Sequence, residues 1–166
     1  AGSSTALSAD GKVVAVGGIG YETYAGRVQV FDYSGNAWVQ KGSDLSGGQG
    51  GANAGSSTAL SEDGNVVAVG AYGYEAHDGR VQVFDYSDNS WVQRGSDLSG
   101  GQADARAGWS TALSDDGNVV AVGAYGYTSN EGRVQVHTTR TISLSMSQLL
   151  SKLYDDAEIP LFNVSY

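Results

Sequence analysis

The residues of this chain that could do chemistry recur at a fixed interval of fifty-three positions. Asp10, Asp63 and Asp116 form one such set, and Asp115 places a second carboxylate beside the last of them. Carboxylates of this kind can bind a metal ion or exchange protons with a substrate. Each recurring aspartate, however, precedes a glycine between two apolar runs, which is a strong signal of a β-hairpin turn. We therefore predict that the three aspartates shape turns and that no metal is bound.

The other residue types used in catalysis do not form a recognisable set. His77 and His137 do not recur as histidines in the other copies, and the chain contains no Ser-His-Asp order, HExxH motif or phosphate-binding loop. A catalytic site is one asymmetric arrangement, whereas nearly every polar residue here has a twin fifty-three positions away. We predict that the protein is not an enzyme and needs no cofactor.

Tyrosines are the strongest candidates for ligand contact, because they lie in a loop that varies between the copies. A tyrosine in an exposed loop offers rigid amphipathic area to a sugar ring or a protein surface. Packing within the loop itself is the alternative interpretation. The candidates are Tyr21, Tyr24, Tyr72, Tyr74, Tyr125 and Tyr127.

Two further recurring sets have a structural interpretation. The aromatic set recurs inside predicted strands, which favours core packing; its members are Trp38, Trp91, Phe31 and Phe84. The charged set predicts repeated ion pairs or backbone hydrogen bonds between the copies, with anion binding as the alternative. Its members are Arg27, Arg80 and Arg133, together with Asp32, Asp85, Asp44 and Asp97.

The elements that position these residues follow from the repeat. Residues 1–53 and 54–106 are identical at forty positions without a gap, and a third copy runs over 107–136. A period near fifty is typical of propellers and stacked arrays. Within the first copy, alternating or β-branched runs predict strands over 2–8, 13–17, 27–33 and 37–41. Four antiparallel strands per copy make one propeller blade.

We therefore predict an all-β fold of three tandem four-stranded antiparallel propeller-type blades with a short α/β tail. The blades span 1–53, 54–106 and 107–146, and the fourth strand of the last one diverges in sequence, over 141–146. Leucines at helical spacing predict a helical tail or cap over 147–166, and its final residues resemble a strand. Asn163, in an Asn-Val-Ser triplet, is a candidate glycosylation site.

Composition excludes several classes of partner. The net charge of −9 argues against nucleic acid and against an anionic membrane surface. There is no cysteine, hence no disulfide or thiolate metal site, and no apolar run long enough to insert into a membrane. The chain begins in phase with its repeat, which favours a processed product or a piece of a longer protein.

The repeat unit resembles the FG-GAP-like repeats of extracellular propellers, including the integrin-α type, and most closely a divergent form in microbial and algal surface proteins. The motifs that carry the resemblance are STALSxDGxVVAVGAYG, GRVQVFDYS and WVQxGSDL. The family's calcium loop is not matched, because the hairpins SADGK, SEDGN and SDDGN are too short to surround the ion, and the FG pair is absent. The resemblance implies an extracellular or cell-surface protein that binds or adheres and does not catalyse.

Three blades are fewer than the four to eight of a closed propeller. The open faces would expose apolar surface and unpaired strand edges, so we expect self-association or further repeats of a longer chain to complete the assembly. The sequence thus predicts a non-catalytic extracellular structural or adhesion module that acts through self-association or a protein or glycan surface. The alternative is a lectin-like propeller with repeated sugar sites in the tyrosine loops.

Overall fold

A computed structural model of the chain describes residues 1–139, which form three antiparallel sheets in sequence order. We call these sheets the first, second and third blade. The first contains β1 (Thr5–Leu7), β2 (Val13–Gly18), β3 (Arg27–Ser34), β4 (Ala37–Gln40) and β5 (Leu45–Ser46). The second contains β6 (Ser57–Leu60), β7 (Val66–Ala71), β8 (Arg80–Ser87), β9 (Ser90–Gln93) and β10 (Leu98–Ser99). The third contains β11 (Ala107–Leu113), β12 (Val119–Ala124) and β13 (Arg133–Thr138).

The predicted all-β antiparallel fold is confirmed, and the pairing repeats with the sequence. Thr5 lies opposite Val16 in the first blade, and the residues fifty-three and one hundred and six positions later pair in the same way in the other two. The β-branched runs of β2, β7 and β12 form the centre of each sheet, where branched side chains pack well.

The outer strand of each complete blade differs from the prediction. In the first blade, β4 and β5 both pair with β3, along 31–34 and 27–28 respectively, so the fourth strand is broken in two. Gly42 lies in the break with a φ of +72°, outside the range of a strand. The strand predicted over 141–146, the tail over 147–166 and Asn163 lie outside the described residues.

The core consists of two junctions between consecutive blades. The front face of a blade carries the residues equivalent to Val13, Ala15, Val28 and Val30, and the back face carries those equivalent to Val14, Val16 and Gly18. The front face of the first blade packs on the back face of the second, where Val67 and Val69 lie. The front face of the second blade packs in the same way on the back face of the third. Every residue of β7 is consequently buried.

The loop that precedes the third strand of each blade contains a left-handed turn. Glu22, Thr23 and Tyr24 all have positive φ in the first blade. In the other two blades the equivalent loops contain the four-residue turns α1 (Tyr74–His77) and α2 (Tyr127–Asn130), whose inner residues also have positive φ and are therefore not right-handed helix. No helix within residues 1–139 is long and apolar enough to cross a membrane.

Candidate functional site at the blade junctions

The recurring aspartates accept hydrogen bonds within their own hairpin turns. Asp10 accepts a hydrogen bond from the Ser8 hydroxyl at 2.7 Å and one from the Lys12 backbone N–H at 2.9 Å. The N–H of Lys12 and the hydroxyl of Ser8 lower the pKa of the Asp10 carboxyl, because they stabilise its charged form. Asp63 and Asp116 accept the same pair of hydrogen bonds in their own blades.

The three turns bring acidic side chains together along one edge of the stack. Asp10, Glu62, Asp63, Asp115 and Asp116 line a shallow depression of about 540 Å³. Among residues 1–139, no group of three or more acidic, histidine or cysteine side chains is placed to hold a metal ion. Three of these five side chains, the recurring aspartates, accept hydrogen bonds within their own turns.

The arginine at the start of the third strand makes contacts both within its own blade and across a junction, as Arg80 illustrates. Arg80 forms an ion pair with Asp97 at 2.5 Å, and its guanidinium carbon lies 3.7 Å from the centroid of the Tyr74 ring. Its Nη2 donates a hydrogen bond to the carbonyl of Gly47, in the preceding blade, at 3.0 Å. The ion pair thus lies within one blade, while the hydrogen bond joins two.

In the flanking blades the arginine again stacks on a tyrosine, but the full arrangement of the second blade does not recur. Arg27 pairs with Asp44 at 2.5 Å and lies 4.1 Å from the ring of Tyr21, but the first blade has no preceding blade within the described chain. Arg133 lies 3.9 Å from the ring of Tyr127 and reaches back to the second blade. Tyr21, Tyr74 and Tyr127 therefore each stack on the third-strand arginine of their own blade.

Two other candidate tyrosines join a cluster that occurs once in the described chain. The ring of Trp109 lies 5.1 Å from that of Tyr72 and 4.7 Å from that of Tyr125, both edge-on. Arg106 donates a hydrogen bond to the hydroxyl of Tyr125. Trp109 is 51% exposed, and the equivalent position in the other blades is a serine. The sequence analysis did not name Trp109 as a candidate for ligand contact. Its replacement of the serine found at this position in the other two blades was the signal that could have indicated it.

The last candidate tyrosine, Tyr24, stands apart from both groups. It is 62% exposed and has a φ of +63°, at the tip of the left-handed turn. The equivalent positions in the other blades are occupied by His77 and Asn130. Tyr24 is thus the most accessible of the six candidate tyrosines, but its position does not recur as an aromatic residue.

The recurring aromatic residues of the strands divide by their position in the stack. Trp91 and Phe84 pack against the first junction, and the indole Nε1 of Trp91 donates a hydrogen bond to the carbonyl of Lys41 at 2.7 Å. Trp38 is 48% exposed, so the core position predicted for it is wrong within this chain. The reason is that Trp38 lies on the back face of the first blade, where no blade of the described chain covers it.

Comparison with known proteins gives a fold and no family. No family model matches the sequence, and no curated protein matches it. A proposed 6-phosphogluconolactonase from Bacteroides uniformis is 16% identical, with a TM-score of 0.56 over 86% of this chain and 38% of that one. TolB from Acinetobacter baumannii is 15% identical, with a TM-score of 0.49 over 82% of this chain and 30% of that one. The chain therefore spans about a third of the length of these structures, and its all-β fold is of the propeller type.

Proposed function

We propose that this chain is a non-catalytic structural or adhesion module of an extracellular or cell-surface protein, of the FG-GAP-like kind, and that it acts through its blade faces. The observation that supports this best is the exposure of the terminal faces. Val134 and Val136 on the third blade are 71% and 68% exposed, whereas the equivalent Val81 and Val83 of the second blade are 0% and 3% exposed. Apolar faces of this kind are typical of association surfaces.

The engagement of the recurring polar residues supports a role other than catalysis. The turn aspartates accept hydrogen bonds from their own hairpins, and Arg80 is committed to an ion pair and a contact with the preceding blade. Groups that are held in this way stabilise the fold.

Sedimentation velocity of the full chain over a range of concentrations tests the proposal, together with binding to immobilised protein and glycan surfaces. We expect the sedimentation coefficient to rise with concentration or the chain to bind one of these surfaces. A compact monomer that binds none of them would contradict the proposal.

A second candidate is a lectin-like propeller, which the exposed Trp109 cluster favours. An aromatic face beside arginine and serine suits a sugar ring, which stacks its C–H groups on the aromatic ring and directs its hydroxyls to polar groups. A glycan array tests this, with Tyr72→Ala and Tyr125→Ala as comparison variants. Binding that both substitutions weaken would support the lectin; no binding, or binding that ignores both, would remove it.

A further inference from the structure

We propose that a second copy of this chain packs the back face of its first blade onto the front face of the third blade, by the contacts that join blades within the chain. The inference rests on the proposed function and deepens it by naming the partner and the geometry. It is carried by five sets of equivalent residues that contact a neighbouring blade inside the described chain and are open at its ends.

The turn glycines supply the first set. Gly64 lies so close to Val13 of the preceding blade that an added Cβ would be 2.5 Å from the valine Cβ. Gly117 approaches Val66 in the same way, at 2.6 Å from its Cγ2. The covered valines are consequently only 5% and 6% exposed. Each junction therefore seats one turn glycine on one valine.

The two halves of this contact remain open at opposite ends of the described chain. Val119, the equivalent valine of the third blade, is 37% exposed. Gly11, the equivalent glycine of the first blade, has open space where its Cβ would be. A second copy in the same relation as consecutive blades would place its Gly11 on Val119.

The third strand supplies the second set, and its contrast is larger. Val28 and Val30 are 0% and 1% exposed because the second blade covers them. Their equivalents Val134 and Val136, on the front face of the third blade, are 71% and 68% exposed. Valines at equivalent positions of the third strand are therefore covered by a neighbouring blade in the first blade and exposed in the third.

The back face of the first blade supplies the third and fourth sets. Leu7 is 62% exposed, while the equivalent Leu60 is half-buried and packs at the first junction. Trp38 is 48% exposed, while Trp91 is half-buried at that junction. The back-face residues that the second blade packs against the first are thus exposed at the equivalent positions of the first blade.

The backbone supplies the fifth set. Within the chain, Gly26 forms a parallel bridge with Ala54, and Gly79 forms one with Ala107, in each case to the next blade. Within residues 1–139 the equivalent Gly132 forms no such bridge, and it lines an open cleft of about 420 Å³ beside Val134. The cleft lies where the next blade enters at the other two junctions.

The open faces fit a head-to-tail pair rather than a symmetric one. Front and back faces carry different residues, and each observed junction joins a front face to a back face. Such a heterologous contact closes into a ring or extends into a filament. Two copies of the three described blades would provide six, which is within the four to eight of known propellers.

Single-face variants of the full chain test this. Val134→Asp with Val136→Asp blocks the front face, and Leu7→Asp blocks the back face. All three positions are exposed, so we expect both variants to keep the circular dichroism spectrum of the native fold. Asn36→Asp with Asn89→Asp, in two exposed hairpin turns, is the control for the added charge.

Sedimentation velocity should show association of the native chain and of the control at equal concentrations. Each blocked variant should associate about a hundredfold more weakly, because the contact would bury an unpaired carboxylate. An equimolar mixture of the two blocked variants should recover a heterodimer, since one open front face and one open back face remain.

Two results would overturn the proposal. If either blocked variant still dimerises alone, the contact joins like faces; self-association, and with it the proposed function, would stand. If the native chain is monomeric, another occupant covers the front face, either residues 140–166 of this chain or further repeats of a longer protein. The proposed function would then depend on the surface-binding measurements alone.

Discussion

Replacing the turn glycine of the second blade tests whether its close packing on the first blade stabilises the fold. Gly64 has a φ of +67°, and its missing Cβ makes room for Val13 of the first blade. Gly11 has nearly the same φ, +70°, in the same Asp-Gly turn, but has nothing within 4 Å of the Cβ position. Gly11→Ala is therefore a control with equal backbone strain and no clash.

The expected effects differ by the cost of the clash. A left-handed alanine costs about 1–2 kcal/mol, and about 0.4–1 kcal/mol of this is offset because alanine restricts the unfolded chain. We therefore expect Gly11→Ala to reduce the free energy of unfolding by about 1 kcal/mol. Gly64→Ala should cost about 1–3 kcal/mol more, as overpacking of a core does.

Urea unfolding followed by circular dichroism measures the difference, at a protein concentration low enough to keep the chain monomeric. With a denaturant slope of about 1–3 kcal/mol/M, the extra cost should lower the midpoint of Gly64→Ala by about 1 M relative to Gly11→Ala. Equal midpoints for the two variants would refute the reasoning, because the seating of Gly64 on Val13 would then contribute nothing.

Three further substitutions probe the junctions and turns by the same unfolding assay. Arg80→Ala should cost about 1.5–3 kcal/mol, because it removes the charge-assisted hydrogen bonds of a buried guanidinium to Asp97 and Gly47, whereas Arg27→Ala, on the open face, should cost about 1 kcal/mol or less; equal losses would contradict this. Trp91→Phe should cost about 1 kcal/mol more than Trp38→Phe, because only Trp91 donates a hydrogen bond across the first junction. Burial acts to raise the pKa of Asp63, but hydrogen bonds outweigh it and lower the pKa below its ordinary value of 3.8. The stabilisation by this carboxylate is therefore present above pH 3.8 and is lost as the pH falls through the lower folded value, so Asp63→Asn should flatten the acid dependence of stability. An unchanged acid dependence would show that this turn does not contribute to it.

The strands and turns could be predicted from the sequence because their causes are local. The Asp-Gly pair favours a hairpin wherever it lies between apolar runs, and the Val-Val-Ala-Val run of β7 forms a strand buried on both faces. The stacking of Tyr74 on Arg80 was not predicted, because the two residues belong to different elements whose approach depends on the fold.

Burial at the ends of the stack could not be predicted from the repeat. Trp38 and Trp91 occupy the same position of nearly identical units, and any local rule gives them the same environment. Their exposure differs because the first blade packs on the back face that carries Trp91, whereas no described blade packs on the back face that carries Trp38. For a repeat protein, burial is thus a property of the neighbour as well as of the sequence.

Replacing Trp109 by serine measures how much the aromatic cluster around Trp109 contributes to stability. Serine occupies the equivalent position in the other two blades, so the backbone accepts it. Trp109 is half-exposed and makes two edge-on aromatic contacts, each worth about 0.5–1.5 kcal/mol, so Trp109→Ser should cost about 1–3 kcal/mol in urea unfolding and keep the native circular dichroism spectrum. An unchanged midpoint would contradict this estimate, because the cluster would then add nothing to stability.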